Sequence, residues 1–291
     1  MRTMIIKLIA VSVFLVTAIT QVAYAQFAEP PVFRKITQVA DGLYRFQNNN
    51  HFSVFLVTPE GVIVTDPINK EAAKWLKSEI HQRFKQPIKY LILSHDHPDH
   101  SSGGEVFAED GATVIAHQKT KDTILGEKRP TAIPELTYEN QMTVELGGEK
   151  VELIYLGKNS SDNTTLVQFP EERAVFAVDF VVVNRLPFKT LKDAYFPEWI
   201  ESIDRLALLD FDMLIPGHGG MGTKQDAVDH GQYLKDLYAA VLQGIRSGKS
   251  LEELKASLKL DAYKDWWQYD AWLPLNIEGV YKNINLHRRA N

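Results

Sequence analysis

No cysteine occurs among the 291 residues. That absence excludes disulfides, thiolate nucleophiles and thiolate metal ligands. Any metal held by this chain must be bound through imidazole and carboxylate. Positive charge is not in excess either: 32 Lys and Arg stand against 37 Asp and Glu, a formal charge of −5. No basic run interleaves with aromatics, which argues against a nucleic-acid partner. Beyond residue 25 no apolar stretch approaches the roughly 18 residues that a membrane span needs. The whole chain is 45% apolar and 24% charged, a balance that excludes disordered and fibrous classes.

The first 25 residues stand apart. Arg2 and Lys7 precede the uncharged run LIAVSVFLVTAIT (8–20), and VAYA follows, with Ala23 and Ala25 at small-residue positions. A basic start, a short apolar centre and a small-residue boundary are the three regions of a secretory signal. The expectation is cleavage near Gln26 and a periplasmic or secreted mature protein with no stable membrane insertion; the alternative is an uncleaved N-terminal anchor. Residues 26–291 are expected to form a single domain. Nothing in the sequence speaks to oligomeric state.

Within that domain two half-patterns appear. FSVFLVTPEGVIVT (52–65) reads as two strands meeting at Pro59-Glu60-Gly61. Asn69 is placed to cap a helix running to Phe84, with Ala73, Leu76, Ile80 and Phe84 at helical spacing. IKYLILS (88–94) and ATVIAH (112–117) read as buried strands. The second half offers strands at 141–146, 150–156, 164–169 and 173–179, a helix from Glu198, the short strand DMLIPG (212–217), and helices at 222–246 and 250–258. The stretch 265–284 is rich in aromatics. Two sheet halves with helices outside predict a layered α/β fold.

The chemistry concentrates in SHDHPDH (94–100), three histidines and two aspartates directly after the strand IKYLIL. In a strand-to-loop turn several side chains can converge on one point. His95 and His97 can present imidazoles together, while Asp99 and His100 turn toward a second point nearby. Neutral imidazole and carboxylate at this spacing suit zinc best, with iron or manganese as weaker alternatives.

Through the pattern HxHxDH, here His95, His97, Asp99 and His100, the sequence resembles the metallo-β-lactamase superfamily from about residue 41 to 219. Four further places carry the likeness. Asp66 ends the strand in VIVTDP, where the family has a buried aspartate that orients a ligand histidine. Asp179 follows the strand VFAV, where many family hydrolases have a carboxylate bridging two metals. His218 ends LIPGH, the place of the family's last histidine, and LGKNSSDNT (156–164) occupies the loop that usually supplies another. The resemblance puts Ser160 on that histidine's position.

The resemblance implies a four-layer αβ/βα sandwich with metals at the sheet edges where the two halves meet. It implies a first site of His95 and His97 that has lost one ligand at Ser160, and a second site of Asp99, His100 and His218 with Asp179 bridging. One zinc would be held tightly and a second more weakly. The implied reaction is metal-assisted hydrolysis, with Asp99 binding metal and orienting the attacking water. A small ester, lactone or thioester is the expected substrate class. β-Lactam hydrolysis is the alternative, weakened because family β-lactamases usually lack an aspartate at the place of Asp179 and many have a lysine soon after it. Here 180–183 are Phe-Val-Val-Val and the first basic residue is Arg185. A catalytically impaired binding protein of the same fold is the reading from another class, supported by Ser160 alone.

Other residues have two readings each. His117 either approaches the site or starts a helix at the surface. Asp162 either reaches toward the position at Ser160 or serves as a turn residue. Trp266, Trp267 and Trp272 either line a substrate pocket or pack a terminal helix onto the core. His51, His81, His230 and His287 are assigned no role.

Overall fold

The computed structural model of the protein describes residues 31–287 and Arg289. The expected signal segment and its boundary lie outside these residues. From Arg34 onward the chain forms one compact unit.

Its first half builds a seven-stranded sheet in sequence order. Strands β1 (Arg34–Gln38), β2 (Leu43–Asn48), β3 (His51–Thr58) and β4 (Gly61–Thr65) run antiparallel as a meander. Helix α1 (Lys70–Phe84) then crosses to β5 (Ile88–Leu93). Two single-turn helices, α2 (Pro98–Ser101) and α3 (Glu105–Ala108), lead to β6 (Thr113–His117). After α4 (Gln118–Glu127) comes β7 (Leu136–Tyr138), and β4 to β7 are mutually parallel.

The second half builds a six-stranded sheet. It holds β8 (Gln141–Leu146), β9 (Glu149–Ile154), β10 (Leu166–Phe169) and β11 (Ala174–Val178) in antiparallel order. Helix α5 (Glu198–Leu206) returns the chain to β12 (Met213–Pro216), parallel to β11, and β13 (Gly222–Thr223) closes the edge. Three further α-helices follow, α6 (Lys224–Arg246), α7 (Leu251–Ser257) and α8 (Tyr269–Leu286), with a short 3-10 helix (Asp261–Tyr263) between the last two. Among the described residues no helix is long and apolar enough to cross a membrane.

Alternation along the strands sets the layers. In β5, Leu91 and Leu93 pack with Ala72, Ala73, Leu76 and Ile80 of α1, whereas Ile92 packs on the opposite face. In β11, Val175 and Ala177 meet Trp199, Ile203 and Leu206 of α5 together with Tyr233, Leu234 and Leu237 of α6. Phe176 and Val178 instead join Val54, Leu56, Ile92 and Ile115 of the first sheet. Successive strand residues point to opposite faces, so strands covered on both sides read as continuous apolar runs. The two sheets therefore face one another across a shared core and carry helices on their outer faces: the four-layer sandwich expected.

α1 starts where Asn69 Oδ1 accepts from the Ala72 N–H at 2.9 Å. It ends at Lys85 in a left-handed conformation (φ 56°), a common helix stop. Strands β1, β2, β7 and β13 were not among the expected elements; β13 takes the first two residues of the helix expected over 222–246, which starts instead at Lys224. β1 and β7 are short and largely solvated, and β2 interleaves polar and apolar residues without a turn dipeptide to announce it.

The carboxyl ends of β4, β5, β11 and β12 run out at Asp66, Ser94-His95, Asp179 and Gly217-His218. Strand ends of this kind gather functional loops in open α/β sheets.

Candidate metal centre

At the end of β5 the backbone is held from both halves of the fold. The Ser94 carbonyl accepts from the Thr165 N–H at 2.7 Å, and the Asp96 N–H donates to Asn163 Oδ1 at 3.2 Å. Asp96 is almost fully buried; its carboxylate accepts from Asn163 Nδ2 at 2.7 Å and from Arg129 Nη2 at 3.0 Å. The turn then closes through His100 N–H and Ser101 N–H to the His97 carbonyl at 3.0 and 2.9 Å. These bonds make SHDHPDH a rigid loop rather than a hydrated one.

Two donor groups result. His95, His97 and Asp179 form one; Asp99, His100, Asp179 and His218 form the other, the ligand-type atoms within each lying no more than 4.8 Å apart. Asp179 belongs to both. Its Oδ2 is 3.4 Å from His95 Nε2 and 3.7 Å from His97 Nδ1, and its Oδ1 is 3.3 Å from both His100 Nε2 and His218 Nε2. Asp99 Oδ2 stands 3.4 Å from His218 Nε2 and 4.0 Å from His100 Nε2. Asp179 follows Val178, a β-branched residue at φ 29°, so the backbone just before this carboxylate is strained. Gly217 makes room for His100: a Cβ there would lie 2.7 Å from the imidazole.

The imidazoles are oriented from behind. Ser94 Oγ donates to Asp66 Oδ2 at 2.6 Å, so at 2.9 Å it accepts from His95 Nδ1, leaving Nε2 with its lone pair inward. Asp66 also accepts from the Ser94 N–H at 2.8 Å and lies 3.4 Å from His100 Nδ1. His218 Nδ1 donates to the Asn50 carbonyl at 3.0 Å. The bonds at Nδ1 of His95 and His218 turn their unprotonated Nε2 atoms into the centre, while His100, whose Nδ1 has no hydrogen-bond partner, brings its Nε2 to 3.1 Å from His218 Nε2. Two lone pairs cannot bond each other; a proton or a cation must lie between them. His95 Nε2 and Asp179 Oδ1 are buried with no hydrogen-bond partner. Orphaned donor atoms and opposed lone pairs fit a bound metal ion, and the all-imidazole and carboxylate set suits zinc.

The charge pattern of the donor side chains agrees. Burial pushes the Asp179 carboxyl upward, but the surrounding imidazoles, His100 foremost, outweigh it and hold it well below the usual carboxylate range. Burial likewise opposes charge on His100, yet Asp179 and Asp66 raise its pKa well above the ordinary value. Burial opposes charge on His97 too, and Asp179 raises it. His95, completely buried and beside His97, is lowered. Asp99 stays ionised because His218 and His51 offset its burial. A dication would take the place of the protons shared here, as ligand imidazoles must be neutral.

Of the residues singled out in the sequence, His95, His97, Asp99, His100, Asp179 and His218 come together, with Asp66 behind them. Ser160 is half-buried and donates to Asn159 Oδ1 at 3.2 Å. Asn159, almost fully buried, also accepts from the Ser161 N–H and donates to the Gly157 carbonyl, so the loop is tied by its own side chains. His117 caps α4, accepting from Lys119 N–H at 3.1 Å, while its Nε2 meets the Glu139 carbonyl at 2.8 Å. Asp162 accepts at its carbonyl from Tyr155 and Lys119 and lies 4.0 Å from the Lys119 ammonium, a loop residue and not a ligand. Trp266 packs on Tyr233 and Tyr263. Trp267, 58% exposed, and Trp272 flank the Arg185 guanidinium at 5.6 and 5.4 Å.

Two residues at the centre escaped the sequence reading. Asp193 Oδ2 lies 3.9 Å from His97 Nε2. His51 Nε2 lies 3.4 Å from Asp99 Oδ2, its ring 4.8 Å from that of His218. Neither belongs to a motif. The one available signal was position: His51 opens a strand whose hairpin partner ends in a run of asparagines.

Comparison with known proteins gives a consistent picture. The sequence matches the metallo-beta-lactamase superfamily over residues 48–218. It is 25% identical over 238 residues to 2,4-dinitroanisole O-demethylase subunit alpha of Nocardioides sp. (strain JS1661), covering 80% of this chain and 70% of that protein. It is 26% identical over 210 residues to metallo-beta-lactamase type 2 of Elizabethkingia meningoseptica, covering 67% of this chain and 82% of the relative. Among solved structures, a metallo-beta-lactamase from Pontibacter korlensis superposes with a TM-score of 0.64 at 22% identity, covering 70% of this chain and 99% of that one. DIM-1 metallo-beta-lactamase gives 0.62 at 17%, covering 69% and 97%. At these identities the structural likeness is one of fold.

Proposed function

Because the chain belongs to the metallo-beta-lactamase superfamily, we propose that it is a zinc-dependent hydrolase of a small ester, lactone or thioester. The observation that carries this reading is Asp179, whose two carboxylate oxygens serve the two donor groups at once. His95, His97 and Asp179 would hold one zinc; Asp99, His100, His218 and Asp179 would hold the other. The first set has one donor fewer, so the second set would bind more tightly; on this reading Ser160 takes the position of the missing imidazole.

When bound, zinc supplies Lewis acidity and acidifies water toward neutrality. The chain's own residues do the rest. Asp99, ionised and at the rim, accepts a hydrogen bond from the attacking water and orients it. Asp66 would fix the tautomer of His95 through Ser94, and its charge would favour a proton on His100 Nδ1, 3.4 Å away. The backbone bonds at Ser94 and Asp96 hold the donors in place, which matters because misplacement of a reacting group by about 1 Å can cost ~100-fold in rate. Export fits the N-terminal pattern: cleavage near Gln26 would release the enzyme to the periplasm or medium, and intact mass of the secreted form tests it.

β-Lactam hydrolysis is the second reading, favoured by the Elizabethkingia meningoseptica relative and the solved structures, which are named as metallo-beta-lactamases. A panel of chromogenic esters, lactones, thioesters and β-lactams, with an aryl methyl ether added, separates them. Esters, lactones or thioesters should turn over with zinc, stop on chelation and resume on zinc return. β-Lactam opening that outpaces all of them establishes the second reading. Asp99→Ala should abolish turnover. No zinc-dependent turnover across the panel overturns the hydrolase reading.

A further inference from the structure

Each imidazole of the centre has a polar group behind its far nitrogen: His95 Nδ1 bonds Ser94 and His218 Nδ1 bonds the Asn50 carbonyl, while His100 Nδ1 lies 3.4 Å from Asp66 and His97 Nε2 3.9 Å from Asp193. Asp99 is different. Its carboxylate is 46% exposed at the rim, on a single-turn helix, and its side-chain contacts run to His100, His218 and His51. The first two are fellow donors. His51 is the contact from outside the donor set. Its Nε2 reaches Asp99 Oδ2 at 3.4 Å, yet it does not fall within the cluster of atoms that converge on one point.

The element behind His51 is built to be rigid. Asn48 pairs with His51 across the two-residue turn Asn49-Asn50, with Asn49 left-handed at φ 53°, a conformation asparagine tolerates. Phe52 N–H donates to the Gly217 carbonyl at 2.8 Å, and Arg45 Nη2 donates to the Gly219 carbonyl at 2.5 Å, on either side of His218. The β2–β3 hairpin is thus pinned to the loop that carries His218. From that one turn, the Asn50 carbonyl holds His218 and the His51 ring meets Asp99.

We propose that His51 is a positioning residue that donates a hydrogen bond from Nε2 to Asp99 and so fixes the carboxylate as a ligand of the second metal position. The inference rests on the reading that this centre binds metal. Asp99 without a partner would sample several rotamers at the rim, and ligand positioning by an outer hydrogen bond is worth about 10–100-fold in metal affinity.

The test is metal binding, with no substrate involved. Chelated wild type, His51→Ala, His51→Gln, Asp99→Ala and the double variant His51→Ala/Asp99→Ala are titrated with Zn²⁺ against a chromophoric chelator. Co²⁺ uptake is followed by its visible spectrum. Gln carries an amide N–H close to the place of imidazole Nε2, so it can keep the bond. His51→Ala should weaken the tighter site about 10–100-fold and alter the Co²⁺ bands, and His51→Gln should recover most of both. In the Asp99→Ala background, His51→Ala should have little further effect, since coupled residues are non-additive. Equal affinities and spectra in His51→Ala and wild type overturn the proposal. So does an additive loss in the double variant, or failure of Gln to rescue; either result makes His51 a ligand in its own right or a merely structural residue. If wild type itself takes up neither ion, the metal reading fails instead, a result separable from all of these.

Discussion

At the scale of single residues, the donors were legible because chemistry and spacing coincide in SHDHPDH, and because carboxylates and a histidine end apolar strands at 66, 179 and 218. His51 and Asp193 were not legible. Each reaches the centre through the register of a hairpin or the course of a long loop, which residue spacing does not encode. The loop at 156–164 yields a prediction of its own. If Ser160 stands on a lost ligand position, Ser160→His should raise retention of the second zinc under mild chelation. Ser161 is buried, its hydroxyl bonded to Thr164 at 2.7 Å, so Ser161→His should gain no zinc. Improvement in Ser161→His alone would mean that the register assumed here is off by one. His230 offers a second residue-level prediction. It is fully buried beside Trp199 with both ring nitrogens unpartnered, and burial pushes its pKa down to about 3. The unfolded chain would protonate it near 6.5. Between these values the unfolded state binds the extra proton, so this residue's contribution to stability falls as pH drops, by about 1.4 kcal/mol per pH unit. His230→Phe should therefore flatten the decline in melting temperature between pH 6.5 and 4 relative to wild type. An unchanged slope would show that His230 finds a partner.

At the scale of elements, α1 and the buried strands read directly from the sequence, since a cap residue, helical spacing and continuous apolar runs each have one physical meaning. Asn69 is the clearest case. It accepts from the Ala72 N–H, and loss of such a cap costs about 0.5–2 kcal/mol. Asn69→Ala should lower stability by that amount in denaturant melts with no change in slope, while Asn69→Ser should recover most of it. The β2–β3 hairpin did not read as such: its turn is Asn49-Asn50, not a glycine-bearing pair, and β2 alternates Leu43, Arg45 and Gln47 with Tyr44, Phe46 and Asn48. Its meaning comes from where it docks, against Gly217 and Gly219 on either side of His218. Of the C-terminal aromatics, Trp266 follows the expected packing reading. Trp266 packs into the core against Tyr233 and Tyr263, whereas Trp267 stays exposed over Arg185.

At the scale of the whole molecule, the centre joins the two sheets. Four donors, His95, His97, Asp99 and His100, follow β5 of the first sheet, and Asp179 and His218 end β11 and β12 of the second. A metal bound across them stabilises the folded state by mass action, because the unfolded chain has no preformed site. Chelation should therefore lower the melting temperature of the wild type, and Asp179→Ala should remove most of that difference, since Asp179 serves both donor groups. The same geometry sets the most direct test of the account. Purified protein, dialysed against a mild chelator, is assayed for metal by elemental analysis. The donor sets predict about one zinc per chain retained, with a second taken up only at higher free zinc, as affinity follows ligand number and type. A chain that holds no metal at any free zinc concentration, or two zincs retained equally through dialysis, would contradict it.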